Sequence, residues 1–247
     1  MKILFGVPSA GAGPREFEKW PEVIGGSALN GVSDQKGIRF QVVPYQKEFF
    51  HKGDFIDTMD QAARAVCDKI GCKLEEISSD CDEPIDIYMF GHCMGASVAY
   101  EAACLLAEEK GIHIKGLFVS AFISPDVPIL DGISHLDDDA FLEEIHSHGT
   151  FPEEFFINKS LSKLFLPRIK ADYRLIENYV DIDHVKLDCP IVGFFGEDDQ
   201  MVTADKIEGW NDYTTVGFEK YFFPGNHYFY YSHQEEIIDM ISSYINK

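Results

Sequence analysis

The sequence predicts an α/β fold with a mostly parallel central sheet. Three observations support this. Short β-branched and aromatic runs alternate with longer helical patterns, several of those runs are apolar throughout, and one internal stretch carries helical periodicity alone. Alternation of the two kinds of segment is the signature of strand-crossover-strand units, and a continuously apolar strand is one covered by helices on both faces.

Taken in order, residues 3–7 form the first strand and 38–43 the second. A helical stretch over 55–77 crosses to a third strand at 85–90, and a second over 97–109 crosses to a fourth at 114–122. Residues 125–184 then break the rhythm. They contain no strand pattern, and Leu161, Phe165, Ile169, Tyr173, Ile176 and Val180 recur at helical spacing, so the stretch reads as a helical lid insertion. Pro167 marks a helix start or a kink within it, because an interior proline loses a backbone hydrogen bond and crowds the preceding turn. Strands at 191–195 and 218–223 and a C-terminal helix over 233–244 complete a chain that reads as one domain.

The 247 residues carry 42 Asp and Glu against 21 Lys and Arg, a formal charge of −21. Such acidity argues against a nucleic acid or an anionic membrane as partner, since either needs a cationic footprint that releases counterions. A hydrophobic content of 45%, with 13% aromatics, fills one large core and argues against disorder. The opening run Met1-Lys2-Ile3-Leu4-Phe5-Gly6-Val7-Pro8 leads directly into a strand. No later stretch reaches the roughly 20 apolar residues of a membrane span, so a cytoplasmic protein, by default a monomer, is expected. Cys67, Cys72, Cys81, Cys93, Cys104 and Cys189 have neither a CxxC pair nor zinc-like spacing and read as thiols.

One of these cysteines stands in a chemical motif. After the third strand comes Gly91-His92-Cys93-Met94-Gly95-Ala96, followed at once by a helix of small residues. This is the pattern of a nucleophile elbow with cysteine at its tip. The turn forces the nucleophile into a strained backbone conformation, and glycines two residues to either side let strand and helix approach closely. The helix N-terminus favours a thiolate at Cys93. A buried structural cysteine is the plainer alternative, but it does not account for strand, elbow and small-residue helix in that order.

An elbow nucleophile needs an acid and then a histidine later in the chain. Gly196-Glu197-Asp198-Asp199-Gln200-Met201-Val202 follows the fifth strand and offers Asp199 as the acid, with Asp198 the close competitor. Of nine histidines, His227 alone sits in a Gly-Asn-His turn between the last strand and the last helix, where a general base belongs. A loop histidine is more often a solvated residue, and it is the company of Cys93 and Asp199 that singles this one out. The oxyanion hole needs two backbone N–H groups: Met94, after the nucleophile, supplies one, and Ala10 in Pro8-Ser9-Ala10-Gly11-Ala12-Gly13 is the best candidate for the other. A phosphate-binding reading of that glycine-bearing loop fails for want of GxxxxGK[ST] or the third glycine of a dinucleotide fingerprint. The run from His135 through Asp137, Asp138 and Asp139 to His146 and His148 could hold a metal, but an amphipathic lid helix with an acidic first turn explains it better.

Together these motifs resemble the type II thioesterases, free-standing α/β-hydrolase enzymes that accompany nonribosomal peptide and polyketide synthases. The resemblance runs over nearly the whole chain. It includes Phe5-Gly6-Val7-Pro8-Ser9-Ala10-Gly11, Leu117-Phe118-Val119-Ser120-Ala121, Leu166-Pro167-Arg168-Ile169-Lys170-Ala171-Asp172-Tyr173 and Phe223-Pro224-Gly225-Asn226-His227-Tyr228-Phe229. It implies hydrolysis of acyl or aminoacyl groups from the phosphopantetheine thiol of an acyl or peptidyl carrier protein, with Cys93, Asp199 and His227 as the triad. It implies no metal or organic cofactor beyond the pantetheine that the substrate carries.

Three departures stand out. The family's usual nucleophile is serine, Ser9-Ala10-Gly11-Ala12 replaces its Tyr-Ala-Gly-Gly, and Pro44-Tyr45-Gln46-Lys47 replaces its Pro-Gly-Arg. The last two bear on acyl-chain and carrier contacts. The cysteine bears on the chemistry: transfer from pantetheine to Cys93 exchanges one thioester for another, so the acyl-enzyme stays activated for attack by water or by an amine, hydroxyl or thiol acceptor. Other readings are a cyclising acyltransferase, a cysteine-dependent hydrolase of a soluble ester or lactone, and a silent acyl-carrier-binding module.

Overall fold

The structure, a computed structural model, describes residues 1–20, 37–47, 54–80, 83–129, 132–147, 151, 153–179, 181 and 185–247. The described strands are β1 (Lys2–Val7), β2 (Ile38–Val42), β3 (Asp86–His92), β4 (Gly116–Ser120), β5 (Ile191–Gly196) and β6 (Phe218–Phe223). They form one sheet in the order β2-β1-β3-β4-β5-β6, parallel at every pairing. All six lie where the apolar runs put them.

Side chains alternate across the sheet, so each strand feeds two cores. Ile3, Phe5 and Val7 of β1 join Met89 of β3 and Leu117 and Val119 of β4 on one face, under α1 (Met59–Asp80) and α2 (Gly95–Lys110). Leu4, Phe90, Phe118, Val192 and Phe194 point to the other face. There they meet Phe17 and Trp20, with Trp20 and Phe90 ring centroids 4.6 Å apart. Each such side chain contributes about 1.5–3 kcal/mol by leaving water, which is why interior strands carry no polar face.

The fourth strand is shorter than the 114–122 run. Ala121 has φ +52°, a left-handed turn that ends the extended chain at Ser120. The insertion between β4 and β5 holds α3 (Asp138–Ser147), α4 (Glu153–Ile157) and α5 (Lys159–Glu177). Ile133, Phe141, Ile145, Phe155, Leu166 and Ile169 give it a small core of its own. Pro167 is not a helix start: it lies inside α5, which starts at Lys159, and its side chain is exposed. The buried stripe of α5 runs through Ser162, Leu166, Ile169, Asp172 and Ile176, whereas Leu161 is exposed and Phe165 and Tyr173 are half-buried; Val180 lies outside the described residues.

After β5 comes the short α6 (Ala204–Ile207), and after β6 comes α7 (Phe229–Ile245), which starts earlier than residue 233. His233 has non-helical angles (φ −116°, ψ 16°), so a first turn seats Phe229 and Tyr230 against the sheet and the longer run follows the break. Among the described residues, no helix is long and apolar enough to cross a membrane.

Candidate active site

The carboxyl ends of β1, β3, β5 and β6 converge at one edge of the sheet, where open parallel sheets place their ligands. At the end of β3, Cys93 has φ +50°, a conformation that costs a non-glycine residue about 1–3 kcal/mol. Its N–H donates to the Ser120 carbonyl at 2.8 Å and its carbonyl accepts from the Ala96 N–H at 2.9 Å, so β4 and α2 hold the strained residue in place. A Cβ on Gly91 would lie 2.3 Å from the Gly95 carbonyl oxygen, and one on Gly95 would lie 2.4 Å from that of Val7. Only glycine fits at either position. Cys93 is half-buried. Burial pushes the Cys104 and Cys189 thiols up to about 12, and Cys81 lies outside the described residues.

The loops after β5 and β6 are tied together by the Glu197 N–H to Phe223 O and the Asp198 N–H to Gly225 O, both 2.9 Å. This brings Asp199 Oδ2 to 2.7 Å from His227 Nδ1 in a buried pair, while Asp198 is exposed. Asp199 Oδ1 accepts the N–H groups of Met201 and Val202 at 2.9 and 3.2 Å. Burial opposes ionisation of Asp199, but His227 and those two amides outweigh it and hold the carboxyl below its ordinary range. His227 Nε2 is buried with no hydrogen-bond partner among the described residues. Burial opposes the imidazolium too, yet the adjacent Cys93 and Asp199 raise His227 to about 10. His92, next to the nucleophile in sequence, stacks on Tyr230 at 4.2 Å with Nδ1 3.1 Å from Ser120 Oγ, and burial drives its pKa well down, so it is a neutral support.

The loop after β1 supplies the third component. Ser9 donates its N–H and its Oγ–H to Glu16 at 2.8 and 2.6 Å, and the Gly11 N–H donates to Asp172 Oδ2 at 2.7 Å. The Ala10 N–H between them has no partner among the described residues, and neither does that of Met94 at the start of α2. Uncommitted N–H groups on either side of a nucleophile are what an oxyanion hole requires.

Cys93, His227, Ala10 and Met94 line a cavity of about 310 Å³. Its wall is largely apolar, with Phe122, Ile123, Val127 and Ile129 from the segment after β4, Tyr173 and Ile176 from α5, and Met201 and Val202 after β5. A broader cleft of about 820 Å³ beside α7 contains none of the four. The acidic run of the insertion is helical: Asp138 and Asp139 lie in the first turn of α3, Phe141 and Ile145 are its buried side, and His146 meets Glu153 at 2.8 Å. His148 lies outside the described residues.

The profile of the thioesterase domain family matches residues 62–245, from α1 to the end of α7. The chain belongs to that family. It is 32% identical over 156 residues to the thioesterase PikA5 of Streptomyces venezuelae, covering 63% of this chain and 56% of the relative. It is 30% identical over 158 residues to the gramicidin S biosynthesis protein GrsT of Aneurinibacillus migulanus, covering 64% and 62%. Both alignments thus span less than two thirds of the curated relative. Over 99% of this chain and 92% of the other, the structure superposes with a TM-score of 0.82 and 25% identity on the type II thioesterase BorB from the borrelidin biosynthetic cluster. The parallel sheet with its flanking helices is accordingly an α/β-hydrolase fold.

Sequence reasoning passed over Glu16, Arg168 and Asp172 as functional candidates. A signal was present: Arg168 and Asp172 share the helical face of Ile169 and Ile176, and a charged pair on an apolar face has to be satisfied by something specific.

Proposed function

We propose that this chain is a thioesterase that releases acyl or aminoacyl groups from the phosphopantetheine arm of a carrier protein through an acyl-Cys93 intermediate. The observation that carries the reading is the meeting, in one apolar cavity, of a strained Cys93, an imidazole with Nε2 uncommitted, and two free backbone donors. His227 takes the Cys93 proton, held by Asp199, and the thiolate attacks the thioester carbonyl carbon. The oxyanion settles on the Ala10 and Met94 N–H groups; collapse breaks the bond to pantetheine sulfur, which leaves with the proton from His227. Acylation removes what Cys93 contributes to raising His227 and leaves only the contribution of Asp199, so the imidazole becomes a competent base for the second step. It then takes a proton from water as the hydroxide adds to acyl-Cys93, and the acid departs as the thiol reforms. No metal or organic cofactor enters this sequence. The chain works in the cytoplasm, and the charge of −21 means that an acidic carrier must dock on a local apolar or basic patch near the insertion.

The test is to incubate the protein with an acyl-carrier protein and with a matched small ester, follow release, and weigh the intact enzyme, with Cys93→Ala as control. Carrier turnover with a transient acyl mass on Cys93 is expected. Turnover of the ester alone overturns the carrier assignment, tight carrier binding without turnover favours a binding module, and acyl transfer to an added amine faster than to water favours an acyltransferase.

A further inference from the structure

Peptide groups are rigid planes joined by two rotations per residue, so an N–H direction is fixed when the planes before and after it are fixed. The Ser9–Ala10 peptide, which carries the Ala10 N–H, is bracketed in this way. On one side Glu16 holds the Ser9 N–H and hydroxyl, itself accepting from Tyr231 at 3.2 Å. On the other, Asp172 holds the Gly11 N–H, and Arg168 donates to the Ala12 carbonyl. Asp172 and Arg168 sit one turn apart on the buried side of α5, and the same helix presents Tyr173 and Ile176 to the acyl cavity. Gln46 Nε2 donates to the second oxygen of Asp172 at 3.0 Å and to Ile56 O at 2.5 Å, and Gln46 Oε1 accepts from the Ile56 N–H at 3.1 Å, so the carboxylate cannot turn away. Gly11 has φ +69°, and a Cβ there would meet Ile169 of α5 at 3.0 Å. Loop and lid helix are therefore fitted to each other.

We propose that Asp172 is a positioning residue that sets the Ala10 N–H through its bond to Gly11, so that the oxyanion hole is complete only while the lid helix α5 is seated on the loop. Asp172 touches no reacting atom in this account; it contributes the direction of a donor. The proposal deepens the reading of Cys93 as acyl acceptor and rests on it.

The experiment separates attack that builds an oxyanion from attack that does not. Alkylation of Cys93 by iodoacetamide needs the thiolate but no oxyanion, whereas acylation by a short-chain acyl-N-acetylcysteamine thioester needs both. In Asp172→Asn the amide nitrogen competes for the place of an acceptor between two donors. The single-turnover acylation rate, read as mass added to Cys93, is expected to fall about 10²-fold, the usual loss for one oxyanion donor. KM is expected to stay within about threefold and the alkylation rate within about twofold. Acylation within about threefold of the parent, or a parallel loss of alkylation, overturns the proposal. Should Asp172→Asn not fold, Gln46→Ala reads the same quantity and is expected to slow acylation about tenfold with alkylation unchanged; equal rates overturn it. A parent protein that is alkylated at Cys93 but never acylated fails the acyl-Cys reading instead, and the two failures are thereby distinguished.

Discussion

The elbow after β3 and the loop after β1 each present one amide N–H to the same space, yet they are held by different forces. The elbow is local. Its glycines at 91 and 95, its short bonds to Ser120 and Ala96 and the start of α2 all fall within a few residues or on the adjacent strand. The loop is held at a distance: its Gly11 N–H reaches a carboxylate 161 residues later in the chain. A turn enforced by backbone contact leaves a contiguous motif behind in the sequence, while a turn enforced by remote side chains leaves only charges on an apolar helical face, and it answers to whatever moves the helix that carries them.

The largest effect expected from this contrast is at the elbow. Gly95→Ala drives a Cβ into the Val7 and Pro8 carbonyl oxygens at 2.4 and 2.6 Å, both backbone and unable to yield. It should destabilise the protein by at least about 3 kcal/mol, read by urea denaturation, and abolish acylation. A stable, active Gly95→Ala protein would break the claim that backbone contact builds the elbow.

Next come the two regions' electrostatics, which separate in pH. Asp172 is buried, and although Gly11, Arg168, Gln46 and Tyr45 pull the other way, it is raised to about 6. The fold thus favours its neutral form, so its contribution to stability is present below about pH 4 and is lost as pH rises through about 6. His227 is raised to about 10, so its contribution is present below about 6.5 and is lost as pH rises through about 10. Denaturation of parent and Asp172→Asn should therefore diverge between about pH 4 and 6. Nuclear magnetic resonance of the His227 ring should find it protonated at pH 8 in the parent and lowered in Cys93→Ala. An unchanged His227 in that variant would uncouple histidine from thiol.

A smaller effect belongs to the start of α5, the carrier of the loop's distant support. Asn158 caps that helix by accepting the Leu161 N–H at 3.1 Å. Asn158→Ala should lower stability by about 1 kcal/mol in thermal or urea melts, and acylation should slow only if fraying reaches Arg168. Smallest of all is Gly13→Ala, at the far end of the loop, where an added Cβ meets nothing within 4 Å. Its stability should change by less than about 0.5 kcal/mol, which marks where the constrained part of the loop stops.

The strands, the crossover helices and the Gly91-His92-Cys93-Met94-Gly95 turn were legible in the sequence, because each rests on a pattern repeated within a few residues: apolar runs, helical spacing, glycines at fixed offsets. The spacing Gly196-x-x-Asp199-x-x-Val202 favoured Asp199 and left Asp198 a close competitor, and the bonds between the β5 and β6 loops accompany the turn that points Asp199 inward. The buried face of α5 was legible only in part: Ile169 and Ile176 of the helical recurrence lie on it, but so do Ser162, Leu166 and Asp172. Helical periodicity specifies that a face exists, while the neighbours decide which residues it contains.

What the sequence by itself determined, then, is the order of elements along the chain and a cysteine at the tip of an elbow, both products of short-range sterics and period. What only the tertiary structure decided is which distant side chains complete the site. Arg168 and Asp172 become partners of the loop that nearby Glu16 also braces because the insertion brings them there. Hydrogen bonds across such separations depend on position in space, which no local pattern of residues encodes.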